Sequence, residues 1–318
     1  MEKNNIDSRP SDEEIYLQKF PKGKFLGGII AVFFLFLIYN LPLTKNIKRI
    51  VTAKLTTVPG CPMEFSDVEL GIFLPKIDIH NLKFIGPCNG LRLGGVELKK
   101  VRATLLGPSF SPLGFKVRVN TASHGINLNL YANVSPSQAM KLKVEDTGVN
   151  SEFLGKLIGK PLPFTGRILL DGLVDGKMNR QKFKPSDISV KITSPSLLMP
   201  KQTINFLELP QLMLGPAIMS VKTTGSGKSQ KLKILQFIVG DKKSDIEVEL
   251  EGDIKPNFND FGQSESNLKG KIRIGKKVTD IVPMSLLNSM VLKGAKPRKG
   301  FYLFGLNGPL RTTKPKFQ

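Results

Sequence analysis

The chain has 318 residues, 40% of them hydrophobic and 23% charged, which supplies enough apolar surface for a sizeable core and argues against disorder over most of its length. Its 47 Lys and Arg against 26 Asp and Glu give a formal charge of +21, favouring anionic surfaces such as phospholipid headgroups, nucleic acid or acidic proteins. No ribonucleoprotein motif, zinc finger or basic helix with base-stacking aromatics is present, so nucleic acid is not expected as a partner.

Residues 1–24 are polar and read as a cytoplasmic tail. Phe25 to Leu43, FLGGIIAVFFLFLIYNLPL, carries no charge, and as a helix it would span about 28 Å of hydrocarbon. The expectation is a single transmembrane helix over 25–43. Lys22 and Lys24 precede it while Lys45, Lys48 and Arg49 follow, so charge alone does not orient it. Residues 44–318 then form one β-rich domain. Thr44 is placed to cap a short helix whose stripe is Ile47, Ile50, Val51 and Leu55, with Pro59 and Gly60 ending it.

Beyond that helix the apolar period becomes two. Ile77 and Ile79 alternate with Asp78 and His80; Val117 and Val119 with Lys116 and Arg118; Ile126, Leu128 and Leu130 with Asn127 and Asn129. Further on, Ile188, Val190 and Ile192 alternate with Ser189 and Lys191, and Ile246, Val248 and Leu250 with Glu247 and Glu249. This pattern predicts antiparallel strands with one buried face. Lys269, Lys271 and Arg273 fit the solvated face of such a sheet. Two short helices are expected, with stripes at Phe153, Leu154, Leu157, Ile158 and at Leu286, Leu287, Met290, Val291. Each leads through a Pro-x-x-Gly step, Pro163 to Gly166 and Pro297 to Gly300, into an apolar stretch.

Candidate chemistry is sparse. Thr224-Gly-Ser-Gly-Lys-Ser229 ends like a phosphate-binding loop, but Lys222 stands where that motif needs Gly and a strand follows, so a hairpin turn is expected. His80 and His124 lie beside no nucleophile or metal-ligand spacing, and Asp171, Asp175 and Asp187 read as turn residues. The chain is therefore expected not to be an enzyme, with no cofactor and no catalytic or metal site.

Cys61 and Cys88 are the only cysteines. Strands over 63–70 and 76–85 joined around Gly71 to Pro75 form a hairpin, and a register centred between Leu74 and Pro75 sets Cys61 opposite Cys88. Opposed Cα atoms lie roughly 4.5 to 5.5 Å apart, so a Cys61–Cys88 disulfide is predicted, stabilising the fold by about 3.5 kcal/mol. Two free thiols in a reduced compartment are the alternative reading.

Met63-Glu-Phe-Ser-Asp-Val-Glu-Leu70 and Lys76-Ile-Asp-Ile-His-Asn-Leu-Lys-Phe84, following the apolar segment and the short helix, resemble the start of an AsmA-like protein. Three further segments continue the likeness: Pro161-Leu-Pro-Phe-Thr-Gly-Arg-Ile168, the Leu-x-Gly-x-Ile strands at Leu250 to Ile254 and Leu268 to Ile272, and Leu303-Phe-Gly-Leu-Asn-Gly-Pro-Leu310. With them, about residues 25 to 315 resemble the GspN family of type II secretion system proteins, in the form seen in Bdellovibrio and Leptospira. The resemblance implies a mainly β fold: one N-terminal transmembrane helix, then an elongated, largely antiparallel AsmA-like domain with a few short helices. It also implies a bacterial inner-membrane, single-pass protein with its C-terminal domain in the periplasm. Its expected partners are other type II secretion components and the phospholipid membrane. The alternative implied by the AsmA-like features is an envelope protein that holds or transfers a lipid in an apolar groove.

Overall fold

A computed structural model of the chain describes residues 27–33, 43–57, 61–71, 75–86, 95–158, 161–179, 182–204, 207–225, 229–257 and 261–318. They fall into two units, 1–51 and 52–318.

In the first unit residues 27–33 are helical, and a second helix, α1 (Leu43–Thr56), runs into the second unit. The expected transmembrane helix over 25–43 is corrected here, because among the described residues no helix is long and apolar enough to cross a membrane. The single-pass inner-membrane placement, with a C-terminal domain beyond the membrane, rested on that anchor and is corrected with it. Helix α1 matches the expected short helix; Val51 and Leu55 of its stripe are half-buried while Ile50 is exposed.

The second unit is mainly β. Its strands are β1 (Met63–Glu64), β2 (Asp67–Gly71), β3 (Lys76–Phe84), β4 (Glu97–Phe110), β5 (Leu113–Ser123), β6 (Ile126–Val134), β7 (Ala139–Asn150), β8 (Thr165–Asn179) and β9 (Lys182–Met199). After a small separate hairpin of β10 (Gln202–Ile204) and β11 (Leu207–Leu209) come β12 (Leu212–Thr224), β13 (Lys231–Val239), β14 (Ile246–Lys255), β15 (Glu265–Ile274), β16 (Tyr302–Pro309) and β17 (Lys316–Phe317). Apart from the small hairpin, all belong to one antiparallel sheet in which β3 to β9 and then β12 to β17 follow one another as a meander. Antiparallel neighbours joined by short turns need no crossover, so chain order becomes spatial order.

The register aligns the period-two pattern across the whole sheet. One row runs Ile77, Ala103, Val119, Leu130, Val144, Gly172, Val190, Val221, Ile234, Gly252, Leu268, Leu306 without a polar side chain. The adjoining row faces the other way and runs Lys76, Thr104, Arg118, Tyr131, Lys143, Leu173, Ser189, Lys222, Lys233, Asp253, Asn267, Asn307. Because neighbouring residues point to opposite faces, the sheet has one apolar and one polar face.

Helix α2 (Ser151–Ile158) caps one region, where Phe153 packs with Val96 and Val149, flanked by Phe84, Leu98 and Ile126. The second expected helix is present as one helical run in which α4 (Met284–Leu287) passes directly into a π-turn over Asn288–Leu292, and a separate helix, α3 (Lys276–Ile281), precedes it.

The first hairpin differs from expectation in register. Met63 faces Phe84 and Asp67 faces His80, which centres it between Phe73 and Leu74. The Ile85 amide donates to the Pro62 carbonyl at 3.0 Å, and the register carried on sets Cys61 opposite Gly86. Cys61 is buried and is not a free thiol, whereas Cys88 lies outside the described residues.

Candidate functional site

The apolar face is the feature that distinguishes this sheet. At its C-terminal end Val221, Ile234, Ile254 and Leu268 are buried and packed by Phe237, Leu306 and Leu310. Toward β4–β9 the same row continues through Ala103, Val119, Leu130, Val144 and Val190, all only half-buried. Among the described residues each strand there makes its substantial contacts with its sheet neighbours, and α2 alone reaches β7 and β8 from outside the sheet. Burying such a side chain fully would contribute about 1.5–3 kcal/mol, so a half-buried apolar row is a standing drive to bind apolar matter.

The polar face is tied by cross-strand pairs. Asp78 on β3 is 2% exposed and sits between two cations of β4. The Arg102 guanidinium donates to it twice, Nε to Oδ1 at 2.7 Å and Nη2 to Oδ2 at 3.0 Å, and Lys100 Nζ lies 3.2 Å from Oδ2. The Arg102 hydrogen bonds, with Lys100 adding to them, hold the Asp78 carboxyl below its ordinary 3.8, at about 2, against the opposing effect of burial. Farther along, Glu247 pairs with Arg273 at 2.8 Å and Glu249 with Lys271 at 2.9 Å. Of the cations expected on a solvated face, Lys271 and Arg273 are thus partnered by the strand next door.

The remaining sequence candidates are not brought together. His80 places Nε2 3.5 Å from Glu69 Oε2, while His124 is exposed in the turn between β5 and β6. Asp171, Asp175 and Asp187 lie on strands rather than in turns. Asp171 accepts the Asp146 amide at 2.8 Å; Asp175 faces Asp187 across β8 and β9 and lies 3.9 Å from Lys141. Gly172 and Gly176, beside two of these aspartates, are sheet positions where β8 approaches β9 closely. Thr224 pairs with Lys231, so the phosphate-loop look-alike is a hairpin connection followed by β13. Among the described residues no group of three His, Cys, Asp or Glu side chains is gathered as metal ligands.

A cavity of about 640 Å³ lies at the C-terminal end, lined on its apolar side by Leu235, Phe237, Leu250 and Phe304. A smaller one of about 420 Å³ lies between α2 and the segment Pro161–Thr165, with Leu162 and Phe164 in its wall. Of the hydroxyls that line the smaller cavity, Ser151 Oγ accepts the Gly166 amide at 3.1 Å and Thr165 Oγ1 donates to the Leu198 carbonyl at 3.4 Å. Sequence periodicity indicated the apolar face strand by strand; its continuity across the sheet depends on register and was not legible.

No family model, curated protein or solved structure matches the chain.

Proposed function

We propose that this chain is a non-catalytic component of the type II protein secretion machinery, as its resemblance to the GspN family implies. The observation that carries the reading is where the resembling segments fall. Met63 to Leu70 lies along β1 and β2 and Lys76 to Phe84 is β3; Pro161 to Ile168 leads into β8. Leu250 to Ile254, Leu268 to Ile272 and Leu303 to Leu310 fall on β14, β15 and β16. Segments that are short and degenerate one by one thus occupy successive positions of a single sheet. A meander with one apolar and one charged face offers extended surfaces for other components.

A second reading, an envelope protein that binds or transfers lipid, is favoured by the half-buried apolar row from Ala103 to Val190. One experiment separates the two. The tagged chain is cross-linked in cells and purified, and its proteins and its solvent-extractable lipids are identified by mass spectrometry. Cross-links to secretion components support the first reading; stoichiometric lipid without such components overturns it in favour of the second.

A further inference from the structure

The most exposed large apolar side chains of the described sheet are concentrated at one hairpin. Phe110 is 86% exposed and Leu113 is 73% exposed, and they face each other at the tip of β4 and β5. Phe115 is 56% exposed, with Val134 beside it on β6, and Leu106 extends the patch along β4. A monomeric fold has no reason to leave so much apolar surface on a protruding hairpin, and such patches mark contact sites.

Directly behind this tip the opposite face of the same strands is cationic. Lys116 lies opposite Asn133, which lies opposite Lys141; two positions on, Arg118 lies opposite Tyr131, which lies opposite Lys143. Lys116, Tyr131, Asn133, Lys141 and Lys143 border, together with Glu145, a shallow basin of about 250 Å³, and Arg118 stands beside it over the Tyr131 ring. Lys116 Nζ and the Arg118 guanidinium stand 5.3 and 5.4 Å from the centre of the Tyr131 ring. Glu145 pairs with Lys143 and Asp175 lies 3.9 Å from Lys141, leaving Lys116 and Arg118 without a carboxylate partner among the described residues. The basin therefore keeps a net positive charge. From Leu113 to Lys116 the strand advances roughly 10 Å, comparable with the depth of about 5–10 Å to which interfacial elements bury an apolar face.

We propose that the β4–β5 hairpin is a membrane-docking element, whose Phe110 and Leu113 enter the interface of an anionic bilayer while Lys116, Arg118 and Lys141 engage lipid phosphates. The contact is peripheral and depends on both halves: the tip supplies apolar area and the basin selects anionic headgroups. It rests on neither the secretion nor the lipid-groove reading: Leu113 and Phe115 continue the apolar face of Val119, but the contact requires the basic basin behind them.

The chain contains no tryptophan, so Phe110→Trp installs a single reporter at a position whose exposure makes it indifferent to folding. The full chain carrying it is titrated with vesicles of phosphatidylcholine alone and of phosphatidylcholine with a third phosphatidylglycerol. Emission is expected to move to shorter wavelength with the anionic vesicles only. Adding Lys116→Gln and Lys141→Gln should weaken that response about 25-fold, at about fivefold for each charge removed. In the otherwise unaltered chain, Leu113→Ser with Phe110→Ser should reduce flotation with anionic vesicles at an unchanged melting temperature. An unshifted emission with both vesicle types, a shift indifferent to the two lysines, or self-association of the chain that hides the tip without lipid would each overturn the proposal.

Discussion

Arg102 on β4 grips Asp78 on β3 with two parallel hydrogen bonds, although the two residues are 24 positions apart in sequence. The carboxylate is buried while the guanidinium is nearly half exposed, so the pair anchors the rim of the sheet to its second long strand. Because the folded-state value of Asp78 is lowered from 3.8 to about 2, its contribution is fully present above pH 3.8 and is lost as the pH falls through 2. That contribution is about 2 kcal/mol. Denaturant melts between pH 5 and 2 should show it, and Arg102→Met should flatten the acid limb and cost about 1–3 kcal/mol at neutral pH, with Lys100 still neutralising the carboxylate. An acid limb that is identical in the variant would refute the assignment.

The buried end of the apolar row should respond to truncation. Ile234 is 5% exposed and packed within the cluster of Val221, Ile254 and Leu268. Ile234→Ala is expected to cost about 2–5 kcal/mol through lost transfer energy and a residual cavity. Its neighbour Leu235 is 59% exposed, so Leu235→Ser should stay within about 0.5 kcal/mol. Urea melts of the two variants should differ accordingly; equal losses would show that the row is not packed as described.

Gly252 occupies the same row at φ +131°, where an added Cβ would stand 2.2 Å from the Asn267 carbonyl oxygen. An L side chain meets both an unfavourable backbone conformation and the facing strand. Gly252→Ala should therefore lower stability by at least about 1–3 kcal/mol, read as a fall in melting temperature.

Much of the sheet was legible because alternation is a local signal: Ile246, Val248 and Leu250 define β14 without help from any other strand. What depends on distant partners was not. The Asp78–Arg102 pair and the ladder of Glu247 and Glu249 with Arg273 and Lys271 arise from register. Asp171 and Asp175 read as turn residues because Asp favours turns, yet both lie on β8, where Gly172 and Gly176 admit a close neighbouring strand. Hydropathy over 25–43 measures compatibility with lipid, not helix length, and among the described residues no helix is long and apolar enough to cross a membrane. A one-residue displacement of the first hairpin's centre moved the predicted partner of Cys61 by two positions.

The Cys61–Cys88 bridge remains an expectation that chemistry can test. Protein purified under thiol-blocking conditions and mapped without reduction should yield a peptide linking the two cysteines and no label on either. Label on both would assign them as free thiols.

The role in type II secretion is tested most directly by export itself. In cells with a clean deletion of the gene, the amount of type II substrates in the medium is compared with that of the parent and of a complemented strain. The account predicts reduced export in the deletion, restored by the full chain. Export at the parental level, together with an altered envelope lipid composition, would contradict it.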